Sequence, residues 1–263
     1  MPVVEAHSIG SFSWLELATS QPSPAADFYA ALMAWGFKES EQGSPGGTML
    51  ATMSGGNIVC GAGSTLATDG LPSWILFVNV QDTAASVERA VALGGSVAVD
   101  ATDHLGARIA IVKDPHGASV GLWQAGDFGG LEINNEPGTM MWAEYCSRQP
   151  DASLEFYRGL FGWEGDADQH NNKYTLLRNP RIETDVVEAR YVGGMVAMDE
   201  TWDADVPHHW IPYFEVASLD TSLSKFRELG GKQVTPEMKI PDGKFVVAND
   251  PQDAVFILCM MGA

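Results

Sequence analysis

Residues 27–35 read DFYAALMAW and residues 155–163 read EFYRGLFGW. Each stretch pairs Phe with Tyr and places Trp seven residues after the Phe. Two more signatures recur downstream. Asp114-Pro115 returns as Asp250-Pro251, and Gly94-Gly95 returns as Gly230-Gly231. The aromatic stretch is displaced by 128 residues (Phe28 to Phe156) and the other two by 136 (Asp114 to Asp250). A duplicated unit with eight additional residues between Trp163 and Gly230 explains all three offsets, and 179–207 is the expected place for them. Each copy then needs its own core, and equivalent positions can be compared within one chain.

The 263 residues suffice for two domains of ordinary size, and 45% hydrophobic content supports full cores. The expected division is 8–125, a Gly/Asn/Pro-rich linker at 126–137, and 138–262. Each half splits again into two units of strand, helix and further strands. In the first unit 12–19 is strand-like, Ser23 is the expected helix cap, and Pro24 takes the first helical position. Ala25, Phe28, Tyr29, Leu32 and Met33 fall on one helical face. Segments 48–54 and 57–62 flank Gly55-Gly56 as a hairpin. The second unit opens at 73–80, Asp82 caps a helix that Gly94 stops, and 107–113 and 118–124 close the unit. The second half repeats this plan, with helices over 150–161 and 218–229 and a last strand at 254–261. The expected class is α+β: two tandem domains, each of two βαβββ modules forming a cup-shaped mixed sheet with helices outside.

The net charge of −19 would repel phosphate backbones, so nucleic acid is not an expected partner. No apolar run approaches the roughly 20 residues of a membrane helix, and no leader pattern precedes the first strand. Cys60, Cys146 and Cys259 are too few and scattered for a disulfide framework and fit reduced thiols. The expected location is the cytoplasm, as a monomer or homodimer.

The two FY motifs, the GG doublets and the endings DPHGASVGLWQ and DPQDAVFILCM resemble the vicinal oxygen chelate superfamily, the glyoxalase/bleomycin-resistance/dioxygenase fold, over nearly the whole chain. That resemblance implies helices outside each cup and a ligand inside. It also implies that metal-dependent members take ligands from the opening and last strands of both units in a pair. Here those places fall on Trp14, the strand near Cys60, Ile75 and Gly121 in the first half. In the second half they fall on Trp142, the Gly193-Gly194 region, Ile211 and Ile257. A divalent ion wants His, Asp, Glu or Cys. The expectation is therefore no metal and no other cofactor.

Strand alternation gives the residues expected to face each cup. They are Trp14, Glu16, Ile75, Phe77, Asn79 and Trp123 in the first half. In the second they are Trp142, Glu144, Cys146, His209, Ile211, Tyr213, Glu215 and Cys259. Each cup thus carries a Trp and a Glu at matching positions beside aromatic walls. A ligand-binding set of Trp14, Glu16, Phe77, Asn79, Trp123, Trp142, Glu144, His209, Ile211 and Tyr213 follows. The bland alternatives are equally concrete. Glu16 and Glu144 serve as well as structural carboxylates, and the rings as ordinary core. Trp35 and Trp163 read as core, His116 as an exposed turn residue, and adjacent His208 and His209 point to opposite faces and do not readily share an ion.

The expected function is metal-independent binding of a hydrophobic aromatic small molecule, in the manner of drug-sequestering proteins, with an amine on the ligand suiting the acidic chain. An alternative is a metal-independent isomerase, cyclase or lyase, with Glu144, His209 and Tyr213 as candidate catalytic groups. A further alternative is a glyoxalase-like metalloenzyme with unusual ligands.

Overall fold

A computed structural model of the protein describes residues 4, 6–40, 47–63, 66 and 71–262. The first half runs β1 (Phe12–Ala18), α1 (Pro22–Met33), β2 (Gly36–Glu39), β3 (Thr48–Thr52), β4 (Ile58–Gly63), β5 (Ser73–Asn79), α2 (Thr83–Ala92), β6 (Ser96–His104), β7 (Ala107–Lys113) and β8 (Ser119–Gln124). The second half runs β9 (Met140–Ser147), α3 (Pro150–Phe161), β10 (Glu164–Ala167), β11 (Tyr174–Arg178), β12 (Tyr191–Ala197), β13 (His209–Glu215), α4 (Leu219–Glu228), β14 (Lys232–Gln233), β15 (Met238–Ile240), β16 (Gly243–Asn249) and β17 (Val255–Met261). The class is α+β, with two mixed sheets of matching order. In the first, β1 lies parallel to β4 and antiparallel to β5, which lies parallel to β8. In the second, β9, β12, β13 and β17 repeat those relations.

Helix α1 forms where Ala25, Phe28, Tyr29 and Leu32 repeat at helical spacing, and all four are buried. The expected cap at Ser23 is corrected. The helix begins at Pro22 behind Gln21, and α3 begins at Pro150 behind Gln149. Proline at the first helical position forfeits no hydrogen bond, because that N–H has no partner in any helix. The Gln21 and Gln149 amides instead donate to Thr19 Oγ1 and Ser147 Oγ, both at 3.0 Å. Asp82 and Ser218 cap α2 and α4 through their side chains.

The extra residues of the second copy fall mainly in the β11–β12 connection, 179–190, which answers the short 53–57 turn of the first copy. Strands β2, β6, β10, β14 and β15 had no alternating pattern strong enough to be read from sequence. His116 is not the exposed turn residue expected. It is half-buried, and its ring stacks on His208 with centroids 4.9 Å apart.

The halves pack through their helices, α1 with α4 and α2 with α3. The main core is continuous across both halves, with Phe28 edge-on to Phe226 and Trp74 edge-on to Phe214. Trp35 and Trp163 belong to it, as expected, and donate to Gly138 O and Gly10 O, each at 2.7 Å. Among the described residues no helix is long and apolar enough to cross a membrane.

Candidate functional site

The two cups are built alike and finished differently. In the first, register sets Trp14 opposite Phe77, Glu16 opposite Ile75, and Asn79 opposite Trp123. Trp14, Glu16, Phe77 and Trp123 are all completely buried. Trp14 packs on Trp123, and Phe128 from the linker lies edge-on to both. Glu16 Oε2 receives Trp14 Nε1 at 3.2 Å and lies 2.7 Å from His104 Nε2 at the end of β6. Gly61 and Gly63 make room for this carboxylate, since a Cβ at Gly61 would lie 2.9 Å from the Trp14 ring. The first cup is thus filled by its own side chains and joined to the main core. Asn79 faces the same way but sits at the sheet end, where its Nδ2 donates to His7 O at 2.7 Å and ties down the N-terminal arm.

Cys60 is corrected as a ligand-position residue. Gly61 stands beside Glu16, so Cys60 points to the opposite face, beside Ala51.

In the second cup Ile211 stands opposite Glu144, and Tyr213 opposite Trp142 and Ile257. Cys146, Met198, Ile211, Tyr213, Ile257 and Cys259 form an apolar lining separate from the main core. Around it, Trp142, Glu144, Trp202, Phe245 and Val247 are only half-buried. The Trp and Glu that are sealed in the first cup therefore keep accessible surface in the second. Tyr213 Oη donates to Glu144 Oε2 at 2.9 Å, and Trp142 Nε1 donates to Tyr174 Oη at 2.8 Å. Tyr174 reaches this position because residue 194 is glycine, whose absent Cβ would lie 1.9 Å from the Tyr174 hydroxyl. The Tyr213 ring leans on Phe245 with centroids 5.6 Å apart.

Burial pushes the Glu144 carboxyl up to about 7, against the opposing hydrogen bonds of Tyr213 and Tyr174. The same desolvation, together with the neighbouring carboxylate, raises the phenols of Tyr213 and Tyr174. Burial also pushes the Cys259 thiol up to about 11. A carboxyl titrating near neutrality beside an aromatic wall can either donate or accept a hydrogen bond at pH 7. His209 does not complete this group. It lies two residues along β13 from Ile211, and its Nδ1 is 2.8 Å from Pro207 O. Its pKa is lowered by burial, against that backbone contact.

Sequence reasoning placed Trp142, Glu144, Ile211 and Tyr213 together. It missed Tyr174, Trp202 and Phe245, which come from strands and loops of weak pattern, and it missed His104. The Gly193-Gly194 doublet was the available signal for Tyr174, since a strand glycine admits a close neighbour.

The places that the resemblance implies for metal ligands hold Trp14, Gly61 on the strand near Cys60, Ile75 and Gly121 in one cup and Trp142, Gly193-Gly194, Ile211 and Ile257 in the other. None offers a donor suited to a divalent ion. Among the described residues no three His, Cys, Asp or Glu side chains converge. The donor set does not fit a divalent metal centre.

Two mixed sheets, each closed from paired βαβββ modules, define a two-cup protein of the glyoxalase architecture. Residues 14–122 match the family model described as a glyoxalase-like domain. Over 97% of both chains, the protein is 33% identical to "Putative glyoxylase CFP32" of Mycobacterium tuberculosis. It is 26% identical to the anthracycline biosynthesis protein DauV of a Streptomyces species, covering 94% of this chain and 92% of that one. Among solved structures, a Mn(II)-bound glyoxalase from Novosphingobium aromaticivorans superposes with a TM-score of 0.62 at 12% identity, covering 96% of this chain and 82% of that one. A catechol 2,3-dioxygenase superposes with a TM-score of 0.58, also at 12% identity, covering 97% and 89%. The chain belongs to the glyoxalase-like family of the vicinal oxygen chelate superfamily.

Proposed function

We propose that the protein binds a flat, hydrophobic aromatic small molecule in its second cup, without a metal. The observation that carries this reading is the contrast between the copies. Trp14 and Glu16 have no exposed surface, whereas Trp142 and Glu144 keep theirs beside an apolar lining of their own. An aromatic ligand face against Trp142, Tyr213 or Phe245 gains about 0.5–1.5 kcal/mol per ring beyond burial. Glu144 then fixes orientation. When protonated it donates to a ring carbonyl, and when ionised it accepts from a phenol. The relative named for anthracycline biosynthesis supports an aromatic polyketide as the ligand class. The test is titration of a panel of hydroxyanthraquinones, followed by tryptophan fluorescence. Saturable quenching at micromolar concentration supports binding, and a panel without quenching or thermal shift counts against it.

A second reading rests on the Glu144 carboxyl at about 7. A group poised near the working pH suits proton transfer, and Tyr213 is placed to hydrogen-bond it through the transfer. The chemistry would be isomerisation, cyclisation or elimination on a ketone-bearing aromatic substrate. Proton exchange alpha to a ketone, lost in Glu144→Gln, supports this reading. Exchange unchanged in that variant removes it.

A further inference from the structure

Trp142 borders a second space. A cleft of about 360 Å³ lies between the N-terminal arm, the linker between the halves, and the beginnings of β9 and β12. Its size lies in the range of small-molecule pockets. Met140, Met141, Leu131 and Val192 contribute an apolar wall. Ser8, Asn134 and Glu188 also line the cleft, and the Ser8 hydroxyl, Asn134 Nδ2 and the Glu188 carboxylate make no hydrogen bond among the described residues. Glu188 belongs to the 179–190 connection, the part of the second copy that outgrows its counterpart in the first. The cleft therefore lies beside the cup that stays accessible.

We infer that this cleft is a second subsite of the same ligand, taking a saturated ring that bears hydroxyl groups and an amine, linked to the aromatic part held in the cup. The inference rests on the proposed binding role of the second cup. A sugar presents C–H faces to apolar and aromatic walls, and vicinal hydroxyls that pair with amide and hydroxyl side chains. Asn134 and Ser8 supply the latter, and Met141 with Trp142 the former. An ammonium on that ring meets Glu188, a carboxylate with no ion pair among the described residues. The ligand class is thus an aromatic aminoglycoside rather than a bare polycycle.

The test is calorimetric titration of the full chain with three probes: a hydroxyanthraquinone, the same ring carrying a neutral O-linked sugar, and the same ring carrying an O-linked amino sugar. The expected order of affinity is amino sugar, neutral sugar, aglycone, with about tenfold between the ends from the added polar pairings. Glu188→Gln, at an exposed position, should erase only the step between amino and neutral sugar, about fivefold for a solvent-facing ion pair. Asn134→Ala should narrow the step between neutral sugar and aglycone. Equal affinity for all three probes overturns the subsite and leaves the cup as the binding site. Absence of binding by every probe overturns both readings together.

Discussion

Tyr157 on α3, in the second half, donates its phenol proton to Asp114 of the first half at 3.0 Å, and Tyr29 of the first half donates to Asp250 of the second at 3.1 Å. Each tyrosine receives an indole N–H in turn, from Trp210 at 2.8 Å and Trp74 at 3.1 Å. The repeated FY and DP motifs are therefore two ends of one device, exchanged between the copies. Asp114 also accepts from Tyr145 and from the His116 and Ala118 amides. Burial first, and then the facing carboxylate, raises the phenols of Tyr29 and Tyr157. Tyr157→Phe removes one donor to a buried carboxylate and should cost about 1.5–3 kcal/mol in urea unfolding. A cost within error of zero would show that Tyr145 and the amides satisfy Asp114 without it.

Ala34 ends α1 at φ +58°, where the equivalent residue after α3 is Gly162 at φ +78°. Only glycine takes that conformation without a steric penalty. Ala34→Gly should stabilise the protein by up to about 1 kcal/mol, read from the denaturation midpoint at unchanged slope. Destabilisation would show that the methyl group packs more usefully than the strain costs.

Glu144 keeps its proton in the folded state up to about pH 7, whereas the unfolded chain releases it near 4.5. A raised carboxyl pKa favours the folded state most below the unfolded value. That advantage falls away as pH rises through the window from about 4.5 to 7. Glu144→Gln, a neutral isostere, should therefore gain up to about 3 kcal/mol relative to the parent at pH 8. At pH 4 it should differ little. Unfolding curves of both proteins across pH 4–8 check this, and a pH-independent difference would contradict the buried titration.

Gly194→Ala would place a Cβ 1.9 Å from the Tyr174 hydroxyl. Tyr174 must then leave, which frees the Trp142 indole N–H and opens the wall of the second cup. The expected cost is about 1–3 kcal/mol of stability, with a loss of affinity for the aromatic ligand. Affinity equal to that of the parent would remove Tyr174 from the binding site.

The duplicated βαβββ plan was legible because FY, GG and DP recur at fixed offsets, and period-two alternation set Trp142, Glu144 and Tyr213 on one face. What alternation could not show was the fate of each cup. The first is closed by His104, at the end of a strand with no clear pattern, and by Phe128, from a segment that reads only as linker. In the second, Ile240 stands at the place of His104 and packs on the apolar lining, while Trp142 and Glu144 remain half-buried. The sequence located the second ligand position only as the strand near Cys60, and the pairing with β1 sets Gly61, not Cys60, beside Glu16. Tyr174 escaped notice because its role depends on a missing side chain across the sheet, at Gly194.

The central claim is met most directly by titrating chelator-treated protein with a hydroxyanthraquinone, in parallel with Trp142→Leu and Glu16→Gln. The account predicts saturable quenching of tryptophan fluorescence in the parent and in Glu16→Gln, and its loss in Trp142→Leu. Quenching that survives Trp142→Leu, or that returns only when a divalent metal is restored, would contradict it.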